Sequence, residues 1–208
     1  ASLYEEAISL PAAQGDTYEA YRQQHANAAY PDKKVEIEAA QYVSADDTLT
    51  VLQDYEGEKG ASVLLPEAGS VVWSFSIEEA GMYNLQFLYY PYEGGGSSIL
   101  RNIRLDDVIP FQESAEVSFE RIWINQSSAS TQTDIKGNEI RPKQVEKPAW
   151  TTKMAMDSAG YYTGPLYYYL EAGEHTIALE AVREPMLLRR MVFLQYEKPQ
   201  SYQELKEE

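Results

Sequence analysis

Apolar and polar positions alternate through much of this chain, and the alternation predicts strands. Val71, Trp73, Phe75 and Ile77 share one face, with Val72, Ser74 and Ser76 on the other. After the turn Glu78-Glu79-Ala80-Gly81, Tyr83, Leu85, Phe87 and Tyr89 repeat the pattern as an inward face. A period of two marks a strand with one side buried. The last third reads the same way. Residues 166–170 are apolar and aromatic, and Glu171-Ala172-Gly173-Glu174 supplies a turn. Then His175, Ile177, Leu179 and Ala181 alternate with Thr176, Ala178 and Glu180. Arg183-Glu184-Pro185 breaks that run, and Met186–Leu194 resumes as an apolar strand.

Shorter runs fill the middle. Val35, Ile37 and Ala39 oppose Glu36 and Glu38, residues 48–53 form a second strand, and Ala61–Leu65 is stopped by Pro66. Ile99–Leu105 is a strand with Arg101 and Arg104 on opposite faces, and Asp106-Asp107 turns the chain into a further strand at 108–111. Many short strands with regular turn signals predict an all-β sandwich. Trp73, mid-strand in an apolar register, is read as core, and His175 as a structural histidine.

The period changes at the N-terminus. Ser2 with Glu5 and Asp16 with Glu19 read as capping boxes of two short helices. Leu3, Ala7, Ile8 and Leu10 give the first an apolar stripe, and Tyr18, Tyr21, His25 and Ala28 share a face of the second. These helices are expected to pack on the sandwich or on a neighbouring domain. The division that follows is a helical appendage over 1–32, a β-sandwich over 33–198, and a linker with the start of a further helix over 199–208. Ser201 and Glu204 cap that last helix, which is expected either to lead into a longer polypeptide or to be a terminal appendage.

Residues 112–160 exceed a minimal sandwich. They are expected to hold one strand over 114–124, a polar loop over 125–138, and an irregular stretch over 141–150. Long structured insertions of this kind are often binding loops. The Gly-rich loop 91–98 fits a backbone that approaches a ligand closely.

Composition narrows the function classes. With 208 residues and 44% hydrophobic content, the chain can bury a full core. A net charge of −16 repels phosphate backbones and anionic lipid, which argues against nucleic-acid and membrane-surface partners. There is no cysteine, so disulfides and thiolate metal sites are excluded. No apolar run is long enough to insert into a membrane. Seventeen tyrosines and three tryptophans serve cores and wet binding surfaces equally well.

Three stretches resemble a known family. The closing "LEAGEHTIAL" with its final apolar strand, the opening VEIEAAQY, and the central GMYNLQFLYYP with IRLDD are similar to carbohydrate-binding modules of the galactose-binding-like type, families 6 and 35. The longer form, with YYPYEGGGSS, RPKQVEKPAW and REPM, resembles modules found beside extracellular solute-binding proteins of bacterial ABC transporters. The resemblance implies a jelly-roll β-sandwich with short N-terminal helices and a long loop insertion. It also implies a non-catalytic, extracellular or cell-surface bacterial protein whose partner is a poly- or oligosaccharide.

Sugar recognition needs an aromatic plate for the apolar face of a pyranose and planar polar groups for its hydroxyls. Trp150, Tyr92 and Tyr161 are the expected plates, with Trp123 beside them. Glu93, Arg141, Arg183 and Glu184 are the expected hydrogen-bonding groups, although the same charges would serve equally well as ion pairs tying the insertion down. An interaction or spacer domain contacting an adjacent domain of a longer chain is the alternative. Catalysis has little behind it. Asp46-Asp47, Glu78-Glu79 and Asp106-Asp107 all read as turns, and no nucleophile motif is present. The resemblance implies a structural calcium held by an opening-strand carboxylate, which Glu36 and Glu38 match, and by an acid near the last strand. Leu188-Arg189-Arg190-Met191 puts cations at the latter place, so no cofactor is expected.

Overall fold

The computed structural model describes residues 15–126, 135–137 and 142–196. The helix capped by Ser2 and Glu5, Arg141, and the helix capped by Ser201 and Glu204 lie outside the described residues. Among the described residues there is one α-helix, α1, over Tyr18–Gln24. Fourteen strands follow: β1 Val35–Glu38, β2 Ser44–Ala45, β3 Thr50–Gln53, β4 Ala61–Leu65, β5 Ser70–Ile77, β6 Gly81–Tyr90, β7 Ile99–Leu105, β8 Val117–Phe119, β9 Trp123–Asn125, β10 Gln144–Glu146, β11 Thr151–Met154, β12 Tyr167–Leu170, β13 Gly173–Arg183 and β14 Met186–Leu194.

The strands form two antiparallel sheets and a small ribbon. A seven-stranded sheet runs β11-β6-β14-β4-β3, with β1 also on β14 and β12 also on β6. A five-stranded sheet runs β2-β5-β13-β7-β8, and β9 pairs with β10 alone. The sheets face each other through the residues that the alternation assigned inward. Phe75 of β5 stacks on Phe193 of β14 at 4.9 Å, and Phe119 of β8 meets Phe87 and Tyr89 of β6 at 4.9 and 5.2 Å. Trp73 is fully buried, and its indole N–H donates to the Ala39 carbonyl at 2.8 Å. The fold is therefore an all-β sandwich, as the pattern predicts.

Consecutive β13 and β14 belong to opposite sheets. The break at Glu184, whose φ is 67°, carries the chain from one to the other and places Glu184 at an end of the sandwich. In β14 the pairing with β6 slips between Leu188 and Arg190. That bulge leaves Arg189 as the extra residue and re-aims its side chain.

Helix α1 takes the sandwich as its packing partner. Tyr18 and Tyr21 are buried in the common core. Their hydroxyls accept the backbone N–H groups of Tyr167 and Tyr169 at 2.9 and 2.7 Å, which covers the outer edge of β12. His25 stacks on Tyr169 at 4.1 Å. The cap differs from the expected one. The Thr17 hydroxyl accepts from Ala20 N–H, while Asp16 accepts from the Gln24 amide.

Two expected strands are also corrected. Residues 108–111 are not a strand. Asp106 and Asp107 both have positive φ, and Leu105 and Val108 exchange backbone hydrogen bonds across them, the geometry of a tight type I′ turn. Residues 114–124 are not one strand either. β8 and β9 are separated because Arg121 turns into the interior.

Candidate functional site

The centre of the loop end is Arg121, which is buried. Its Nη2 donates to Glu184 Oε2 at 2.8 Å and its Nη1 to Glu146 Oε1 at 2.9 Å. Nη1 also reaches the Tyr92 carbonyl and Nε the Ser97 carbonyl, both at 2.8 Å. One guanidinium thus ties the break between β13 and β14 to β10 and to both ends of the Gly-rich loop. Glu184 also accepts from Gly95 N–H at 2.8 Å. A Cβ on Gly94 would lie 2.0 Å from Glu184 Oε2 and 2.7 Å from Arg121 Nη2. Close approach is what the glycines provide, as expected, but the group approached is an internal ion pair.

An aromatic group sits around this clamp. The Tyr55 ring meets Tyr90 edge-on at 5.2 Å and lies 6.2 Å from Tyr92. Tyr90 in turn lies 5.5 Å from Trp150, whose indole N–H donates to the Tyr55 carbonyl at 2.9 Å. Burial, followed by the charge of neighbouring Tyr92, pushes the Tyr55 phenol up. Burial and then Tyr55 do the same to Tyr90. The charge of Glu93, an exposed residue that follows Tyr92 in the loop, contributes to both shifts. Trp123 on the β9–β10 ribbon stands over Gly96, its ring 3.7 Å from where a Cβ would be, and is 47% exposed.

The structure thus brings Tyr92, Glu93, Trp123, Trp150 and Glu184 to one region. Tyr92 and Trp150 are half-buried and offer only part of each ring, whereas Trp123 is open. The Glu184 carboxylate is engaged by Arg121 and Gly95, the ion-pair alternative that the sequence left open. Arg183 is exposed, and its Nε donates to the Ser98 carbonyl at 2.9 Å, again holding the loop. Arg141 lies outside the described residues. Tyr161 does not join the group. It lines a separate cavity with Tyr18, Arg22 and Tyr162. The sequence reasoning missed Arg121, Tyr55 and Tyr90. Arg121 carried one signal: it is a cation in the same period-two register as the aromatic residues Phe119 and Trp123.

A second ion pair bears on the calcium expectation. Arg189 Nη1 donates to Glu38 Oε2, and its Nε donates to the Lys59 carbonyl at 3.0 Å. Gly60 leaves room for that guanidinium, since a Cβ there would lie 2.4 Å from Nη2. The opening-strand carboxylate therefore already faces a cation. Among the described residues, no three carboxylate or histidine side chains gather as a metal-binding group.

The geometry defines a class: an antiparallel two-sheet β-sandwich with aromatic side chains gathered at a loop end. No protein-family model matches the chain, and no curated protein sequence matches it. Among solved structures it is similar to a family 35 carbohydrate binding module from Clostridium thermocellum, at 12% identity over 79% of this chain and 99% of that one, with a TM-score of 0.42. It is also similar to the C-terminal family 6 module of a marine laminarinase from Zobellia galactanivorans, at 12% identity over 78% and 100% of the two chains, with a TM-score of 0.44. A GH26-CBM35 β-(1,4)-mannanase from Podospora anserina matches at 16% identity and a TM-score of 0.46, over 81% of this chain. This chain spans 29% of the mannanase's length. At these identities and TM-scores the likeness extends to a sandwich outline and no further.

Proposed function

We propose that this protein binds a poly- or oligosaccharide at the loop end and does no chemistry on it. The observation that carries this reading is the aromatic group itself. Trp123 stands open beside half-buried Tyr92 and Trp150, and all are held on a scaffold clamped by Arg121. Rings fixed in this way offer apolar area to a pyranose at little entropic cost, with polar tips and the Glu93 carboxylate left for hydroxyls. The two best-placed carboxylates, Glu146 and Glu184, both accept from one guanidinium, an arrangement that suits a clamp. A general acid has to carry a proton to its substrate. The Glu38–Arg189 pair supports a fold that uses a guanidinium where related modules would hold calcium. The extracellular, bacterial cell-surface setting beside a solute-binding protein or a polysaccharide-degrading enzyme comes with the sequence resemblance and is part of the same proposal.

The test is affinity electrophoresis against a panel of soluble polysaccharides, followed by calorimetry on any hit. Trp123→Ala should weaken binding about tenfold or more, with the thermal midpoint unchanged. Trp150→Ala should also weaken binding but lower the midpoint, because its indole is bonded to the Tyr55 carbonyl. Retained affinity in both variants would remove the loop end from the reading. Absence of any hit would favour the alternative, an interaction or spacer domain that meets an adjacent domain of a longer chain.

A further inference from the structure

β11 and β12 lie end to end along one side of β6, with Met154 opposite Gln86 and Tyr167 opposite Asn84. Both stand at the rim of the seven-stranded sheet, so each turns every second N–H and C=O away from β6. The register says which ones. Ala155 N–H donates to the Leu85 carbonyl at 2.7 Å, so Thr151 and Lys153 also bond inward, and Thr152 and Met154 point outward. On β12 the outward donors are Tyr167 and Tyr169, and the Tyr18 and Tyr21 hydroxyls accept both. On β11 the fold supplies no such cover. Among the described residues nothing bonds the backbone N–H and C=O groups of Thr152 and Met154.

Open space follows the uncovered edge. A cavity of about 500 Å³ touches Thr151, Thr152, Lys153 and Met154 in succession and is also lined by Glu120 and Tyr196. Side chains of successive strand residues alternate between faces, so what all four share is the edge. A lysine commonly guards such an edge against pairing. Here Lys153 is the one charge of β11, its side chain is 12% exposed, and Glu120 Oε1 accepts from its ammonium at 2.6 Å. The guard is neutralised, and the Glu120 side chain, 68% exposed, is the open charge of the groove. Met154 lies on the face opposite Lys153. The edge thus offers an acid on one face and an apolar thioether on the other.

We propose that the β11 edge takes up an extended peptide segment of a partner protein, one in which basic and apolar residues alternate. The added strand pairs its backbone with Thr152 and Met154, sets its cations beside Glu120 and lays its apolar side chains on Met154. In strand addition the backbone hydrogen bonds supply affinity and the alternate side chains supply specificity. A net charge of −16 draws a cationic segment and opposes a second copy of this chain. The cavity shares no lining residue with the loop-end aromatics, so the inference does not rest on saccharide binding.

The test is an amide NMR titration of the full chain with the peptide acetyl-KVKVKV-amide. The Thr152 and Met154 amides should shift, and their hydrogen exchange should slow by about tenfold at saturation. Acetyl-EVEVEV-amide should bind about tenfold more weakly, and Glu120→Gln should erase that preference. The lysine peptide methylated on every backbone nitrogen should not bind. Thr152→Pro removes one outward donor and keeps the bonds to β6, so it should weaken the lysine peptide about fivefold with the thermal midpoint unchanged. Should that variant unfold, the methylated peptide makes the same comparison on the unaltered chain. No binding of the lysine peptide, equal binding of the glutamate or methylated peptide, or shifts confined to other residues would each overturn the proposal. Slow exchange at Thr152 and Met154 in the free protein would overturn it too. Slowing that grows with protein concentration would mean that a second copy pairs there, and slowing that does not would mean that the chain covers its own edge.

Discussion

Arg121 Nη2 and Glu184 Oε2 meet at 2.8 Å, with side chains only 1% and 9% exposed. This contact joins the insertion to the crossing between the two sheets, and the loop-end aromatics are arranged around it. Removing one member of a buried pair strands the other charge, at a cost of about 3–5 kcal/mol. Arg121→Ala should therefore cost about that much in urea unfolding. Glu184→Gln keeps an acceptor for Gly95 N–H and leaves Glu146 on the guanidinium, so it should cost clearly less. Equal and small effects would mean that the clamp is not what holds the loop.

Gly94 should tolerate no side chain. Its Cβ would strike Glu184 and Arg121, whereas Gly164 has nothing within 4 Å of a Cβ. Gly94→Ala should destabilise by about 1–3 kcal/mol through overpacking, with loop-end binding lost as well. Gly164→Ala should be close to neutral. Thermal melts of the two variants side by side make the comparison.

His175 makes stability depend on pH. Burial disfavours its charged form, but hydrogen bonds to the Asp106 carboxylate and the Glu171 carbonyl, each at 2.7 Å, outweigh burial and raise the pKa above the usual 6.5. Because the folded value is the higher one, the contribution is complete below about pH 6.5 and fades as pH rises through the folded value. The gap in thermal midpoint between wild type and His175→Gln should be wider at pH 5.5 than at pH 8.5. A gap that grows toward high pH would reverse the assignment.

Tyr21 covers a strand edge with its hydroxyl. Burial pushes that phenol up to about 12, so it remains a neutral hydrogen-bonding group at ordinary pH. Tyr21→Phe leaves the Tyr169 N–H without an acceptor and should cost about 1–3 kcal/mol. Uncovering β12 should also raise self-association, visible by light scattering. Tyr30→Phe, at a half-exposed ring whose hydroxyl accepts no strand N–H among the described residues, serves as the matched control and should do neither.

The guanidinium beside Glu38 predicts indifference to calcium. Adding calcium or a chelator should leave the thermal midpoint unchanged, while Arg189→Ala should lower it. A midpoint that rises with calcium in the wild type would show that the carboxylate recruits a metal despite Arg189.

The sequence by itself determined the sandwich. Alternation over β5, β6 and β13 assigns each side chain to a face, because a strand's period of two leaves only two choices. Gly, Pro and acidic turns set the ends, and Met186–Leu194 and Ala61–Leu65 are bounded as the pattern reads. Trp73 and the inward tyrosines of β6 follow from the same rule. What only tertiary structure decided is who meets whom among charges far apart in the chain. Nothing local tells Arg121 to seek Glu146 and Glu184, or Arg189 to turn out of its strand toward Glu38, because those contacts depend on how loops cross at the sandwich end. The same reason separates Tyr161 from Trp150. Both are loop aromatics close together in the chain, but the pairing of β11 and β12 along β6, with α1 packed beside them, sends them to different sites.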